Sequence, residues 1–331
     1  MKLPRRRYLH LAAGAAVLTI VSFIAVAVSS QCAWSQTART IRIVVPYPPG
    51  SGPDILSRLM ADEIARAQGT GMVVENRPGG GTVIGTEAAA RAAPDGNTVL
   101  LVANSFIINP ALKKQNYDPS TSFEPICYLA ATPMVLVVDG ASPYRTLADL
   151  IAAARAKPGE LSFASGGPAS SLHVAIEVLK RAAGISVTYV PYPGTAPAIN
   201  ALLGNHVTAV FADYPTVVSH LQSGRLRGLV TASRARVEPL PDVPTFAETG
   251  VSKYEADIFY GIVAPAKTPG DMILQLSGWF SAALKAADVR PKLPKQGLFP
   301  VGTCGAEFGA HMRRQADEYG RIIGEANIKA E

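Results

Sequence analysis

The chain has 331 residues, 48% hydrophobic and 17% charged, with a formal net charge of +6. That balance excludes a disordered polar chain, and the length allows two lobes with separate cores. A nucleic-acid binder is also excluded: the first 35 residues carry Lys2, Arg5, Arg6 and Arg7 and no acid, so the remainder holds only about +2 and shows no basic stripe.

Residues 1–35 read as an export signal. The basic head precedes a nearly unbroken apolar run from Leu11 to Val28, and Ala33-Trp34-Ser35 supplies a small-residue exit. Cleavage is expected before Gln36, which places the mature chain in the periplasm. The competing reading is an uncleaved membrane anchor, since the run is just long enough to span. Arg5-Arg6-Arg7-Tyr8-Leu9-His10 also fits a twin-arginine signal, so the export route, Sec or twin-arginine, stays open. Cys32 falls within the signal, and Ser29-Ser30-Gln31 before it is a poor lipoprotein site. Cys127 and Cys304 then remain in an oxidising compartment. A disulfide is allowed there, but two separate buried thiols are expected.

From Ile41 onward, short apolar runs alternate with amphipathic stretches. Ile41–Val45, Met72–Val74 and Val99–Val102 are expected strands, separated by helices over Asp54–Ala67 and Thr82–Ala92. The alternation predicts parallel pairing with right-handed crossovers. It resumes with a helix capped by Thr146 and the strand Leu161–Phe163. A helix follows over Ser170–Ala183, closed by Gly184, and then the strand Val187–Val190. Strands at His206–Phe211 and Leu226–Val230 complete what is expected to be a second parallel sheet. One more strand, Ile258–Val263, and helices over Met272–Ala286 and Glu307–Ile323 remain. The domain reading is therefore a discontinuous first lobe, 36–135 plus 255–331, and a second lobe, 136–254.

In open α/β sheets, ligands lie beyond the carboxyl ends of the strands. The loops there include Tyr47-Pro48-Pro49-Gly50-Ser51 and Ser165-Gly166-Gly167-Pro168-Ala169-Ser170, each joining a strand to a helix start. Glycine permits close backbone approach, and the first N–H groups of a helix attract an anion. Candidate ligand-binding residues are Tyr47, Pro48, Gly50, Ser51 and Ser105 in the first lobe. Ser165, Gly167, Ser170, Tyr192 and Asp213 are the candidates in the second. The plainer reading makes Ser and Asp helix caps only. Tyr47, Phe106, Tyr192 and Tyr214 are candidate walls for an apolar ligand body. The six loops at the strand ends, 46–54, 78–82, 104–106, 165–173, 191–195 and 212–216, contain no Lys or Arg, so an anion there meets neutral donors and helix dipoles.

Catalytic readings find no support. There is no P-loop, dinucleotide fingerprint or Gly-x-Ser-x-Gly elbow, and the histidines lack metal-ligand spacing. His173 beside the serine loop reads as a structural hydrogen-bonder rather than a base. No catalytic residue, metal or cofactor is expected.

The run Ile41-Arg42-Ile43-Val44-Val45-Pro46-Tyr47-Pro48-Pro49-Gly50, then Asp54, then Val74-Glu75-Asn76-Arg77-Pro78-Gly79-Gly80-Gly81, resembles the substrate-binding receptors of tripartite tricarboxylate transporters, the Bug family. The likeness continues through Ala93-Pro94-Asp95-Gly96, Phe163-Ala164-Ser165, Val190-Pro191-Tyr192 and Pro241-Asp242-Val243-Pro244-Thr245. It implies a periplasmic-binding-protein (Venus-flytrap) fold of two α/β lobes closing on a small carboxylate. It also implies a non-enzymatic transport role with a two-subunit membrane permease. Candidate ligands are a dicarboxylate, an aromatic carboxylate or an amino acid, and the receptor is expected to act as a monomer. The alternative function is a sensory receptor that presents its ligand to a membrane kinase. Two departures from the family pattern stand out: Ser51 replaces a second glycine, and Pro168 removes an N–H donor from the second loop.

Overall fold

The computed structural model describes residues 39–328. The export signal, its cleavage point and Cys32 lie outside the described residues.

Strands β1 (Thr40–Val45), β2 (Gly71–Asn76) and β3 (Thr98–Val102) pair in parallel around β1. Helix α1 (Gly52–Gln68) crosses between β1 and β2, and α2 (Val83–Ala90) between β2 and β3. Leu56, Met60 and Ile64 recur at helical spacing and form the buried side of α1. Gly69 ends that helix in the left-handed conformation that an L side chain disfavours.

The chain then departs from the sequence expectation. Helix α3 (Ser105–Leu112) contains Pro110, and β4 (Phe123–Asp139) is a single strand of 17 residues. Neither was expected. Pro125 and Pro133 break up the strand signal, and Met134–Val138 is buried on both faces and so shows no polar alternation. Beyond it lie α4 (Leu147–Ala156), β5 (Ser162–Ser165), α5 (Ser171–Ala183), β6 (Thr188–Pro191) and α6 (Thr195–Leu203). Next come β7 (Ala209–Asp213), α7 (Tyr214–Gln222), β8 (Leu226–Thr231), α8 (Phe246–Thr249) and β9 (Asp257–Pro265). Helices α9 (Gly270–Lys285) and α10 (Lys292–Lys295), strand β10 (Phe299–Cys304) and α11 (Ala306–Ala326) complete the fold.

The strand order is β2-β1-β3-β9-β4-β7-β5-β6, with β8 and β10 also paired to β4. Strand β4 joins two halves of this sheet. Up to Pro133 its partners are β9 and β10, and from Met134 they are β7 and β8, all antiparallel. The second half is therefore mixed rather than parallel, which corrects the expectation. β5 does pair in parallel with β6 and β7, but β8 runs antiparallel to β4.

Successive residues of β4 serve opposite cores. Met134, Leu136 and Val138 enter the larger apolar cluster, while Val135 and Val137 enter a second one with Ile199, Leu202 and Val210. Strand β10 places Cys304 directly opposite Cys127 in the antiparallel register, and the two form a disulfide. The expectation of separate thiols is thus corrected. Sequence separation says nothing about cross-strand register, and β10 itself had not been recognised.

Candidate functional site

The loop from β1 to α1 is held by a polar network at its base. The Asp54 carboxylate accepts from the Gly50 N–H at 2.9 Å, from Asn76 Nδ2 at 2.9 Å and from Arg58 Nε at 3.1 Å. Asn76 Nδ2 also donates to the Tyr47 carbonyl at 3.0 Å. Burial opposes the charge on Asp54. The hydrogen bonds from Arg58, the Gly50 N–H and Asn76 outweigh it and hold the pKa below the usual carboxylate value. Residues far apart in sequence thus fix where Tyr47, Pro48 and Ser51 stand.

On the facing side, the loop from β5 to α5 is shaped by two serines. Ser170 is the N-cap of α5: its Oγ accepts from the His173 N–H at 3.2 Å and donates to the Gly167 carbonyl at 2.8 Å. Ser165 is fully buried and pairs with Tyr189 Oη at 2.9 Å. His173 is buried, stacked on Tyr189 with ring centroids 4.1 Å apart.

The loops come very close to one another. A Cβ on Gly194, just before α6, would fall 2.5 Å from Pro48, so only glycine fits there. A Cβ on Gly52 would fall 2.6 Å from Asp213 Oδ2 and 2.7 Å from Tyr260 Oη. Asp213, at the end of β7, accepts from the Gly52 N–H at 3.2 Å and from Thr216 Oγ1 at 2.8 Å. The Tyr260 hydroxyl interacts with the same carboxylate.

Between these loops lies a cavity of about 590 Å³. Tyr47, Pro48, Ser105, Gly167, Ser170 and Tyr192 line it, so six of the ten expected site residues are brought together. A recess of about 50 Å³ shares Tyr47, Pro48, Ser105 and Ser170 with it and adds Ser51 and Asp213. Gly50 and Ser165 lie outside both walls, engaged instead with Asp54 and Tyr189. Two expected aromatic walls are core residues: Phe106 stacks on Tyr117, and Tyr214 is 2% exposed. Their position one residue after a loop polar group hid their inward direction.

The structure also supplies wall residues that no motif or spacing marks. Asn109, Lys113 and Gln115 come from the unrecognised α3 and the turn after it, and Tyr260 lines the recess from β9. Lys113 is the single charged side chain among the described residues of the larger wall. Its presence amends the expectation of a site without Lys or Arg.

Apart from the Asp213 carboxylate, which the Gly52 N–H and the Thr216 hydroxyl already engage, the recess offers an anion neutral groups. Helices α5 and α6 begin at it, with Ser171 and Thr195 as their first residues. The leading N–H groups of a helix have no partner within it. Tyr47 Oη lies 2.7 Å from Ser105 Oγ. Burial pushes the Tyr47 phenol far above its ordinary pKa, so it remains a neutral donor. Among the described residues no group of His, Cys, Asp and Glu is placed to hold a metal ion. No described helix is long and apolar enough to cross a membrane.

This fold is that of the periplasmic binding proteins. The periplasmic binding protein BugD superposes with a TM-score of 0.84 at 31% identity, over 88% of this chain and 99% of that one. A Rhodopseudomonas palustris protein solved with adipate gives 0.85 at 29% identity, covering 89% and 99%. MatC from the same organism, solved with malate, gives 0.82 at 27% identity, covering 86% and 99%. The family described as the tripartite tricarboxylate transporter family receptor matches residues 56–328, and the chain belongs to that family.

Proposed function

We propose that this chain is a periplasmic receptor that captures a small organic carboxylate and delivers it to a two-subunit membrane permease. The observation that carries the reading is the recess where α5 and α6 begin, beneath a cavity whose described wall holds no acidic side chain. Helix N-termini and hydroxyls bind a carboxylate without a fixed countercharge, which suits reversible capture. The relatives solved with adipate and malate support the same ligand class. We assign 36–135 plus 255–331 to one lobe and 136–254 to the other. The exchange of partners by β4 after Pro133, and the start of β9 at Asp257, support those limits. Ligand is then enclosed when the loops of the two lobes approach.

A thermal-shift panel of carboxylates on the mature chain tests the reading. An acid present at a hundred times its dissociation constant adds about 2.7 kcal/mol to stability. A panel in which no carboxylate raises Tm, while some neutral or cationic solute does, overturns the proposal.

A further inference from the structure

We propose that the ligand is a monocarboxylate with an apolar body, unlike the diacids held by two solved relatives. The inference rests on the receptor reading above and concerns which acid the same cavity takes. Its first support is Asp213. That side chain is 3% exposed, lines the recess, and already accepts from the Gly52 N–H at the start of α1. Of the helix starts gathered at the recess, the first is therefore matched by a carboxylate of the protein itself. The starts of α5 and α6 remain, with Ser171 and Thr195, and they offer one place for an anion. The recess, at about 50 Å³, has room for one such group.

The second support is the wall above. Pro46, Val83, Ile84, Leu112, Pro168 and Tyr192 make most of it apolar. Ile84 is 58% exposed although it is a large hydrophobic residue at a cavity wall, so a ligand body has apolar surface there to cover. A diacid whose far carboxylate met Ile84, Val83 or Leu112 would lose hydration without gaining a donor from them. Lys113 is the charged alternative, but it is exposed, and exposed ion pairs contribute little. The volume of about 590 Å³ lies in the range of sites that enclose whole organic ligands.

Titration calorimetry with hexanoate and adipate isolates the point, because the two share a carbon chain and differ in one carboxylate. Phenylacetate serves as a bulkier monocarboxylate. We expect hexanoate or phenylacetate to bind at least about tenfold more tightly than adipate, and Ile84→Ser to weaken that acid about five- to tenfold. The Ile84 side chain is exposed, so this variant does not threaten folding. Adipate binding as tightly as both monocarboxylates, or more so, overturns this inference and leaves the receptor reading standing. If none of the three acids binds, this inference is overturned, and the receptor reading falls as well only where the wider panel finds no carboxylate while a neutral or cationic solute raises Tm.

Discussion

Strand β9 forms part of two very different spaces. Ile258 and Tyr260 face the recess of the ligand cavity, while Asp257 and Phe259 face a rear pocket of about 270 Å³. The alternation of a strand puts neighbours on opposite sides. Asn104 stands between the two spaces. It lines the recess, and its Nδ2 donates to Tyr319 Oη at 2.8 Å in the rear pocket. At the front, donors are helix starts and hydroxyls on loops. At the rear, titratable side chains are packed together: His311 on Tyr128 with centroids 4.6 Å apart, and Asp257 accepting from Ser233 Oγ at 2.6 Å. Burial raises the Asp257 carboxyl, lowers the His311 imidazole and pushes the Tyr319 phenol up to about 12. The titratable groups packed at the rear thus stand apart from the loops that line the ligand cavity, and disturbance of one side should leave the other intact.

The largest expected effect lies at neither space. Replacing Cys127 and Cys304 together by alanine removes the tie between β4 and β10 and should cost about 2–5 kcal/mol of stability. Ligand affinity measured below the unfolding temperature should stay the same. A loss of affinity would show that the β4–β10 region also sets the cavity. Next comes Gly52→Ala, whose Cβ would fall against Asp213 and Tyr260. Overpacking of this kind costs about 1–3 kcal/mol, and because it parts the loops it should weaken ligand binding by a similar amount. Calorimetry showing full affinity would mean that this contact does not govern closure.

Ser170→Ala removes the cap of α5 and should cost about 1 kcal/mol of stability. Its hydroxyl already donates to the Gly167 carbonyl. Affinity falling tenfold with no change in Tm would instead assign that hydroxyl to the ligand.

A smaller effect follows pH. The folded pKa of His311 is lowered by burial, and further by Arg314, from the ordinary value of 6.5. The unfolded chain therefore takes up its proton at a higher pH than the folded one. The contribution of His311 is complete above 6.5 and is lost as the pH falls through the folded pKa. Asp257 acts in the opposite sense: its raised pKa gives stability below 3.8 that is lost as the pH rises through the folded value. Denaturant midpoints of His311→Gln should fall less steeply below pH 6.5 than those of the unaltered chain. Asp54, at the front, is held below 3.8 and should add to the acid response only beneath that value. Identical pH profiles for the variant and the unaltered chain would refute the assignment to the rear pocket.

The smallest change is expected from salt. With Lys113 the single charge among the described residues of the larger wall, affinity for the acid should hardly vary with added sodium chloride. A steep decline would place the carboxylate at the exposed rim rather than in the recess.

Local rules carried much of this. Helical spacing of apolar residues found α1, α5, α9 and α11, and Thr146 and Gly184 mark helix ends where the sequence placed them. The glycine- and serine-bearing loops at strand ends led to Tyr47, Ser51, Ser105 and Ser170, because strand–loop–helix order places such residues at one edge of a sheet. What distance along the chain conceals was decided by packing. Strand β4 is legible only through its partners, since burial on both faces erases alternation and prolines interrupt the run. The Cys127–Cys304 bond depends on a register between strands 177 positions apart. Asp213 could be placed at a strand end from sequence. That its carboxylate meets the Gly52 N–H across 161 positions, and so takes up one of the gathered helix starts, follows only from how the loops close on one another.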